Sequence, residues 1–217
     1  MIVLGLTGSI AMGKSTIGAM MGTMNIPVHE ADAAVHKLLK KDSQARPAIA
    51  SAFPYFEYPE IYNRKTGEIN RPAFGELIFN DDKNREILES ILHPLVRKSQ
   101  MEFIREYTLK GVDIVCLDIP LLFETGADQR VDYIITVSAP YFIQRERVLD
   151  RPNMSEEKFH AILERQMPDA EKCRRSDYVI KTGIGRAPAM QSLKTIITEI
   201  REKHFTLDVQ DEEQEIS

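Results

Sequence analysis

The sequence has few cysteines, no long apolar run and no recognisable export signal. Its two cysteines, Cys116 and Cys173, lie far apart, so we expect free thiols in a reducing cytoplasm rather than a disulfide framework. Since 18 consecutive apolar residues occur nowhere, we expect no membrane-spanning helix and no membrane partner. The start, MIVLGLTGS, lacks the basic residues and the cleavage site of a secretory signal. These absences predict a cytoplasmic protein.

An excess of positive charge is also missing. The chain has 28 Lys and Arg against 33 Asp and Glu, a net charge of −5. Five of the acids lie in the last ten residues, so the rest of the chain is balanced. A balanced body exerts no general attraction on a nucleic-acid backbone, and we expect no nucleic-acid partner. Residues 206–217 are predicted to form an acidic, disordered tail.

Strand-like and helical segments alternate over much of the 217 residues, a length that suits one core with an inserted subdomain. Nearly continuous apolar runs separated by helices predict a parallel sheet covered on both faces. The fold class is therefore α/β with a five-stranded parallel sheet. The predicted strands cover residues 2–7, 26–29, 112–119, 131–137 and 178–180.

Two stretches interrupt this alternation. Residues 31–110 carry almost no strand signal and are too long for a crossover connection, so we predict a helical insert. Its predicted helices cover residues 31–41, 71–79, 84–92 and 95–110. Residues 140–175 are helical and rich in arginine, as a lid over phosphates would be. The predicted nucleotide-binding core comprises the remaining segments, residues 1–30, 111–139 and 176–205.

The strongest motif is GSIAMGKS at residues 8–15, which fits G-x-x-x-x-G-K-[ST]. Gly8 and Gly13 allow the turns that aim backbone N–H groups at phosphate oxygens. Lys14 can reach the β- and γ-phosphates, Ser15 offers a hydroxyl to Mg²⁺, and Thr16 is placed near the α-phosphate. We expect Lys14 to face solvent until phosphate binds. The motif follows an apolar strand and opens a helix, which is the context a phosphate-binding loop requires.

Asp118 ends the apolar run IVCLD. A carboxylate at the end of a strand beside a phosphate loop can hold Mg²⁺. Alternatively, Asp118 caps the segment that follows it.

The motif alone leaves the class of nucleotide-binding protein open. The guanine-reading NKxD and the DxxG of GTPase switches are absent from the sequence. A small-molecule kinase fits better, because such an enzyme needs an acceptor-binding insert and a cationic lid that excludes water.

The sequence contains, in order, the strings LTGSIAMGKST at 6–16, EAD at 30–32, INRPAFGELIF at 69–79 and LHPLV at 92–96. It continues with IPLLFE at 119–124, QRERVLDR at 144–151 and RQMPDAEKCRRSDYVI at 165–180. Through these strings the sequence resembles the dephospho-coenzyme A kinase family over about residues 2–200. The resemblance implies a P-loop kinase fold that transfers the γ-phosphate of ATP to the ribose 3′-hydroxyl of dephospho-coenzyme A.

The sequence departs from the family pattern in three places. The loop has Ser9, Ala11 and Met12 where glycine is more usual, although their backbone N–H groups remain available for nucleotide binding. Glu30 replaces an Asp. Lys181-Thr182 replaces a common Asp-Asn, so adenine contacts near residues 181–183 are not assigned.

The resemblance also implies roles for individual residues. Asp32 corresponds to the general base, although it could instead cap the helix that follows. Arg71 and His93 correspond to acceptor-binding positions, although a His beside Pro is also a common turn residue. Pro120, Leu121 and Leu122 are expected to form a wall of the acceptor cleft, which Glu124 orders.

Arg147 corresponds to the arginine of the lid, and Arg151 is expected to share its helix face at i, i+4. The alternative is a solvated face on which both arginines pair with Glu146 and Asp150. The expected ligands are ATP as phosphoryl donor, Mg²⁺ and dephospho-coenzyme A. Two other functions stay open: a nucleoside monophosphate kinase, and a nucleotide-binding regulator without catalysis.

Overall fold

The computed structural model describes the backbone of residues 1–215 and the side chains of residues 1–204. The chain forms two compact units. The first comprises Met1–Val28 and the chain from Val112 onward, and the second is His29–Gly111. The backbone continues helix α9 through Glu215, so the prediction that residues 206–217 are disordered does not hold for residues 206–215, and residues 216–217 lie outside the described residues.

A five-stranded sheet forms the centre of the α/β fold, as the sequence predicted. The strands are β1 (Ile2–Thr7), β2 (Val28–Glu30), β3 (Ile114–Asp118), β4 (Tyr133–Ser138) and β5 (Tyr178–Lys181), in the order β2-β3-β1-β4-β5. Parallel pairing aligns Leu4 of β1 with Cys116 of β3 and with Tyr133 of β4. Because β1 is central, the loop that follows it lies between neighbouring strand ends, where parallel sheets bind ligands.

The first unit also contains helices, several of which pack against the sheet. Its helices are α1 (Lys14–Thr23), α6 (Tyr141–Leu149), α7 (Glu156–Glu164), α8 (Asp169–Arg175) and α9 (Arg186–Glu215). Apolar residues of the strands, α1 and α9 form one buried cluster, which includes the completely buried Leu4, Leu6, Ile17 and Leu193. Burial of these side chains is the main source of stability for this unit.

The second unit is mostly helical and has its own apolar cluster, centred on Ile49, Phe53 and Phe74. Its helices are α2 (Ala31–Leu38), α3 (Arg46–Ala52), α4 (Arg71–Asn80) and α5 (Asp82–Leu109). Helix α5 is continuous where the sequence predicted two helices, at 84–92 and 95–110, and it contains Pro94. The prediction was wrong because packing of Leu88, Leu92 and Val96 into the cluster holds both sides of the proline in one helix.

Among the described residues, no helix has the length and apolar content needed to cross a membrane.

Candidate active site

The phosphate-binding motif forms a tight loop between β1 and α1. Gly8 has φ of 155°, and a Cβ there would lie 2.6 Å from the carbonyl oxygen of Val137. Gly13 has φ of 95°, in the left-handed region, and a Cβ there would lie 3.1 Å from Oγ1 of Thr182. Any larger residue at either position would clash or be strained. The structure therefore explains why the motif has glycine at both ends.

Between the glycines, Ala11 and Met12 have distinct roles. Ala11 also adopts a left-handed conformation, with φ of 58°, which is unfavourable for a residue with a Cβ. The side chain of Met12 is buried, and its Sδ accepts a hydrogen bond from the N–H of Ala139 at 3.1 Å. Only the backbone of Met12 is therefore available to a nucleotide, as the sequence prediction required.

Lys14, the first residue of α1, forms an ion pair between its Nζ and Oδ1 of Asp118 at the end of β3. The side chain of Lys14 is 15% exposed and that of Asp118 is 7% exposed. The expectation that Lys14 faces solvent before phosphate binds was wrong. With little water around it, the ammonium is stabilised by the neighbouring carboxylate instead.

Ser15 and Thr16 follow Lys14 in the first turn of α1, and the N–H of Thr16 bonds the carbonyl of Gly13 at 3.0 Å. The carboxylate of Asp118 lies beside this helix, because its Oδ2 would be 3.9 Å from a Cβ at Gly18. Ser15 and Asp118 thus supply hard oxygen donors of the kind Mg²⁺ prefers. Among the described residues there is no cluster of three or more His, Cys, Asp or Glu side chains for a metal. The two protein oxygens of Ser15 and Asp118 suit an ion whose remaining ligands are substrate phosphates and water.

Arg147 of α6 contacts the loop directly. Its Nη1 donates to the carbonyl of Ala11 at 3.4 Å and to Oγ1 of Thr182 at 3.1 Å, and its Nη2 donates to the carbonyl of Thr182 at 3.0 Å. Oγ1 of Thr182 in turn donates to the carbonyl of Met12 at 2.6 Å. The guanidinium therefore lies against the middle of the phosphate loop, and the solvated-face alternative does not hold for Arg147.

Arg151 does not share a helix face with Arg147, contrary to the prediction. Helix α6 ends at Leu149 with Asp150 as its C-cap, and the exposed Arg151 lies beyond it. The sequence extended the helix too far because charged residues continue past its end, whereas Pro152 favours termination.

Asp32 lies in the second unit, in the first turn of α2, and its side chain is exposed. The N-cap position of α2 is Glu30, and no side-chain hydrogen bond caps this helix. Asp32 is the second helical residue, so the capping alternative does not describe it.

Two further residues that the sequence predicted to bind the acceptor also lie in the second unit. Arg71 is the exposed first residue of α4, whose N-cap is Asn70. His93 is exposed on α5 and lines a surface groove with Pro94, Arg97, Lys98, Met101, Glu102 and Arg105. His93 is a helical residue and not a turn residue, since α5 continues through Pro94.

The segment after β3 divides into partly exposed and buried residues. Pro120 and Leu121 are half-buried, as a cleft wall requires. Leu122 is completely buried, and its Cδ1 would lie 2.6 Å from a Cβ at Gly5 in β1. The prediction that Leu122 contacts the acceptor is therefore corrected: its side chain packs in the core. The apolar string PLL did not reveal which of its members faces inward.

Sequence reasoning missed two glutamines that hold the phosphate loop. The N–H of Ile10 donates to Oε1 of Gln166 at 3.0 Å, and Nε2 of the buried Gln144 donates to the carbonyl of Ile10 at 2.9 Å. It also missed Thr182, which bonds Met12 and Arg147. The available signal was the presence of Gln144 and Gln166 within the strings shared with the family, but those strings did not show which partners the glutamines contact.

Burial changes the acidity of two groups, one in each unit. Desolvation lowers the pKa of His29 below its ordinary value of 6.5. His29 bonds Oγ of Ser99 through Nε2 at 3.0 Å, and within the described part of the chain its buried Nδ1 has no hydrogen-bond partner. Desolvation raises the pKa of the Cys116 thiol on β3, so this thiol stays protonated and unreactive.

Comparison with known proteins identifies the family of the chain. A family model described as dephospho-CoA kinase matches residues 2–185, the phosphate loop and Arg147 included. The chain belongs to the dephospho-CoA kinase family. It is an enzyme of this family, a transferase that binds nucleotide.

Individual relatives cover nearly the whole chain. A dephospho-CoA kinase of Rhizobium etli is 45% identical over 93% of this chain and 95% of its own length. That of Mesorhizobium japonicum is 44% identical over 93% and 98%, respectively. Among solved structures, a Thermus thermophilus protein matches with a TM-score of 0.74 and 31% identity, over 91% of this chain and 97% of its own. A Campylobacter jejuni dephospho-CoA kinase matches with a TM-score of 0.66 and 28% identity, over 93% and 98%.

Proposed function

We propose the residue roles below for the function of this dephospho-CoA kinase family member, the ATP-dependent phosphorylation of dephospho-CoA in coenzyme A biosynthesis. The observation that carries the proposal is the phosphate loop at residues 8–15, with Lys14 paired to Asp118 and Arg147 bonded to the loop carbonyl of Ala11. A flexible cation and a fixed cation at one phosphate loop are what phosphoryl transfer requires.

Lys14 binds the β- and γ-phosphates of ATP. In the structure the Lys14 ammonium pairs with Asp118. The phosphates offer several anionic oxygens at the N-terminus of α1, where the helix dipole favours negative charge. Lys14 therefore exchanges one carboxylate partner for phosphate partners, and the loop N–H groups, including those of Ala11, Met12, Gly13, Ser15 and Thr16, complete the cradle.

Arg147 stabilises charge that develops during transfer. Its guanidinium is held by the carbonyls of Ala11 and Thr182, so little reorganisation is needed when the phosphates arrive. A preorganised cation of this kind lowers the barrier more than it strengthens ground-state binding. Arg147 is therefore assigned to the chemical step.

Asp32 accepts the proton of the ribose 3′-hydroxyl. Its carboxylate is exposed and uncommitted to a helix cap, so it is free to accept a hydrogen bond from the acceptor. In a loose phosphoryl-transfer transition state the hydroxyl proton leaves late, so orientation of the hydroxyl by Asp32 matters more than its basicity.

Acceptor binding is assigned to Arg71 and His93, and to Pro120 and Leu121. Arg71 offers a planar guanidinium that suits phosphate oxygens, and dephospho-CoA carries a diphosphate. The half-buried Pro120 and Leu121 supply apolar surface. Leu122 is excluded from this set because it is buried.

We also propose that the enzyme uses Mg²⁺ and acts in the cytoplasm. Ser15 and Asp118 would hold the ion, which supplies positive charge that neutralises the phosphates of ATP. Support for the location comes from Cys116 and Cys173, which are both free thiols, as expected in a reducing compartment.

The direct test is a coupled assay of ADP release with four acceptors: dephospho-CoA, AMP, CMP and pantothenate. We expect rapid ADP release only with dephospho-CoA, and a product that carries one added phosphate on the ribose 3′-oxygen by mass spectrometry and phosphorus NMR. Repeating the assay with a chelator and with added Mg²⁺ tests the metal assignment.

Each other result has a defined meaning. Turnover with AMP or CMP in place of dephospho-CoA would show a nucleoside monophosphate kinase. Nucleotide binding without turnover of any acceptor would show a regulator. Full activity in excess chelator would contradict the metal assignment alone.

A further inference from the structure

Lys172 on α8 is the only lysine or arginine with no exposed surface among the described side chains. Its Nζ lies 2.9 Å from Oε1 of Glu124 and donates to the carbonyl of Pro120 at 3.1 Å. The side chain of Glu124 is 19% exposed, so the pair is largely shielded from water. No role described so far uses this buried ammonium.

Such a pair is a poor source of stability. Removing an ammonium from water costs several kcal/mol, and an apolar side chain of the same size is often at least as stable. A buried ion pair is instead suited to fixing one arrangement of the segments that it joins, because its polar atoms accept few alternative partners. The contacts of Lys172 indicate which segments these are.

On one side, Lys172 fixes the end of β3. The carbonyl of Pro120 also accepts a hydrogen bond from Oγ1 of Thr7 at 3.1 Å. Thr7 directly precedes Gly8, and Pro120 lies two residues after Asp118. The Lys172 ammonium therefore holds a carbonyl that links the start of the phosphate loop to the strand end that carries Asp118.

On the other side, Lys172 fixes the segment before α8. Oε1 of Glu124 accepts both the Lys172 ammonium and the N–H of Met167, the latter at 2.7 Å. Met167 follows Gln166, whose Oε1 accepts the N–H of Ile10 in the phosphate loop. A continuous set of polar contacts thus runs from Lys172 through Glu124, Met167 and Gln166 to Ile10.

We propose that Lys172 is a positioning residue for phosphoryl transfer. By neutralising Glu124 it holds the Gln166–Met167 peptide in place, and Gln166 then fixes the Ile10 peptide and the conformation of the phosphate loop. The inference rests on the proposed function, because the loop is the element assigned to hold ATP. A small displacement of such a loop reduces turnover strongly, since the reacting groups must meet in one geometry.

The test uses Lys172→Met, which keeps the length of the side chain and removes its charge. We expect kcat with dephospho-CoA to fall by about 10- to 100-fold, the scale expected for a misplaced reacting group. Hydrogen exchange should become faster in peptides covering residues 8–13, because the Ile10 N–H loses its fixed acceptor. The control is Arg201→Met on α9, outside the predicted lid, which removes an exposed ion pair with Asp113 and should leave both readouts unchanged.

A double variant separates positioning from stability. Lys172→Met leaves the Glu124 carboxylate without its cation, so the melting temperature should fall. Adding Glu124→Gln removes this charge and should recover the melting temperature but not kcat. Recovery of kcat together with the melting temperature would overturn the proposal, because the lysine would then serve stability alone.

Gln166→Ala tests the last contact in a variant that keeps the ion pair. It should reproduce the loss of kcat and the faster exchange of the loop at a nearly unchanged melting temperature. Wild-type kcat in Gln166→Ala would overturn the proposal. These outcomes can be distinguished from failure of the proposed function, because in that case the wild-type enzyme itself does not phosphorylate dephospho-CoA. The hydrogen-exchange measurements still test the loop in that case, since they need no turnover.

Discussion

At the scale of single residues, the functional side chains of the first unit are already engaged by protein partners. Lys14 pairs with Asp118, and Arg147 bonds Ala11 and Thr182. Both cations lie in largely dry surroundings, where an unpaired charge is costly. Substitutions of these residues are therefore expected to affect stability as well as catalysis.

Lys14→Ala should lower kcat by at least about 100-fold, a loss of roughly 2.7 kcal/mol of transition-state stabilisation. It should also lower the free energy of unfolding by about 3 kcal/mol, since it leaves the carboxylate of Asp118 buried without its cation. Steady-state kinetics and urea unfolding measure the two effects. Adding Asp118→Asn should restore most of the stability and none of the activity; an unchanged stability in Lys14→Ala would show that the ion pair contributes nothing.

Asp32→Asn keeps the size of the side chain and its ability to accept a hydrogen bond, but it cannot take the proton. We expect the phosphoryl-transfer rate to fall by about 10²- to 10⁴-fold, within the range for a general base. ATP affinity, titrated without acceptor, should stay near the wild-type value. Single-turnover kinetics measure the chemical step, and an unaltered rate would remove Asp32 from the catalytic residues.

Arg147→Ala differs from the Asp32 variant in a second readout. Its kcat should fall by roughly 10²-fold or more, because the contact strengthens as charge develops in the transition state. ATP hydrolysis without transfer should rise relative to transfer, since Arg147 belongs to the predicted lid that excludes water. The measurement is the ratio of phosphate released to coenzyme A formed. A raised ratio indicates a lid arginine, and an unchanged ratio indicates a residue that only stabilises the loop.

At the scale of elements, helix starts show how local sequence positions functional residues. Helix α5 begins after Asp81, whose Oδ1 accepts the N–H groups of Lys83 at 2.9 Å and Asn84 at 3.1 Å. A cap of this kind satisfies backbone donors that would otherwise lack partners and places a negative charge at the positive end of the helix. The helix carries His93, so its stability supports the predicted acceptor-binding position.

Asp81→Ala should therefore reduce the free energy of unfolding by about 1 kcal/mol, the usual contribution of an N-cap. Chemical denaturation measures the change. Glu86→Ala on the exposed part of the same helix is the matched control and should change stability by less than about 0.5 kcal/mol. Equal effects of the two substitutions would show that the cap bonds do not stabilise α5.

At the scale of the whole molecule, pH acts through the buried His29. The pKa of His29 is lowered in the folded state, so the unfolded chain binds more protons than the folded chain near and below pH 6.5. The contribution of neutral His29 to stability is therefore fully present above pH 6.5. It is lost as the pH falls from 6.5 toward the lowered pKa of His29 in the folded protein. The carboxylates that titrate below this window add their own, separate loss.

The urea midpoint of the wild type should accordingly fall between about pH 7.5 and about pH 5.5, the range in which histidine titrates. His29→Gln, which cannot titrate, should show a smaller fall. The control is His36→Gln, because His36 is exposed on α2 and its removal should leave the pH dependence unchanged. A fall of the same size in His29→Gln and in the wild type would exclude His29 as the source.

The sequence by itself determined the fold class, the five strands and the phosphate loop. Each depends on local patterns: apolar runs of strand length, glycines where the backbone must turn, and a lysine and a serine at a helix start. The helix boundaries were less accurate. From the sequence, Pro94 predicted a break where α5 is continuous, and the charged residues after Leu149 predicted a longer α6 than the structure has. Tertiary packing overrides local preference at such points.

Only the tertiary structure decided which partners the site residues have. The Lys14–Asp118 pair joins residues 104 positions apart, and Gln166 reaches Ile10 across 156 positions. The burial of Leu122 and of Lys172 was equally hidden, since an apolar string or a basic helix does not show which side chain faces the core. Contacts between distant segments depend on how the sheet and helices pack, and no periodicity within one segment encodes that packing.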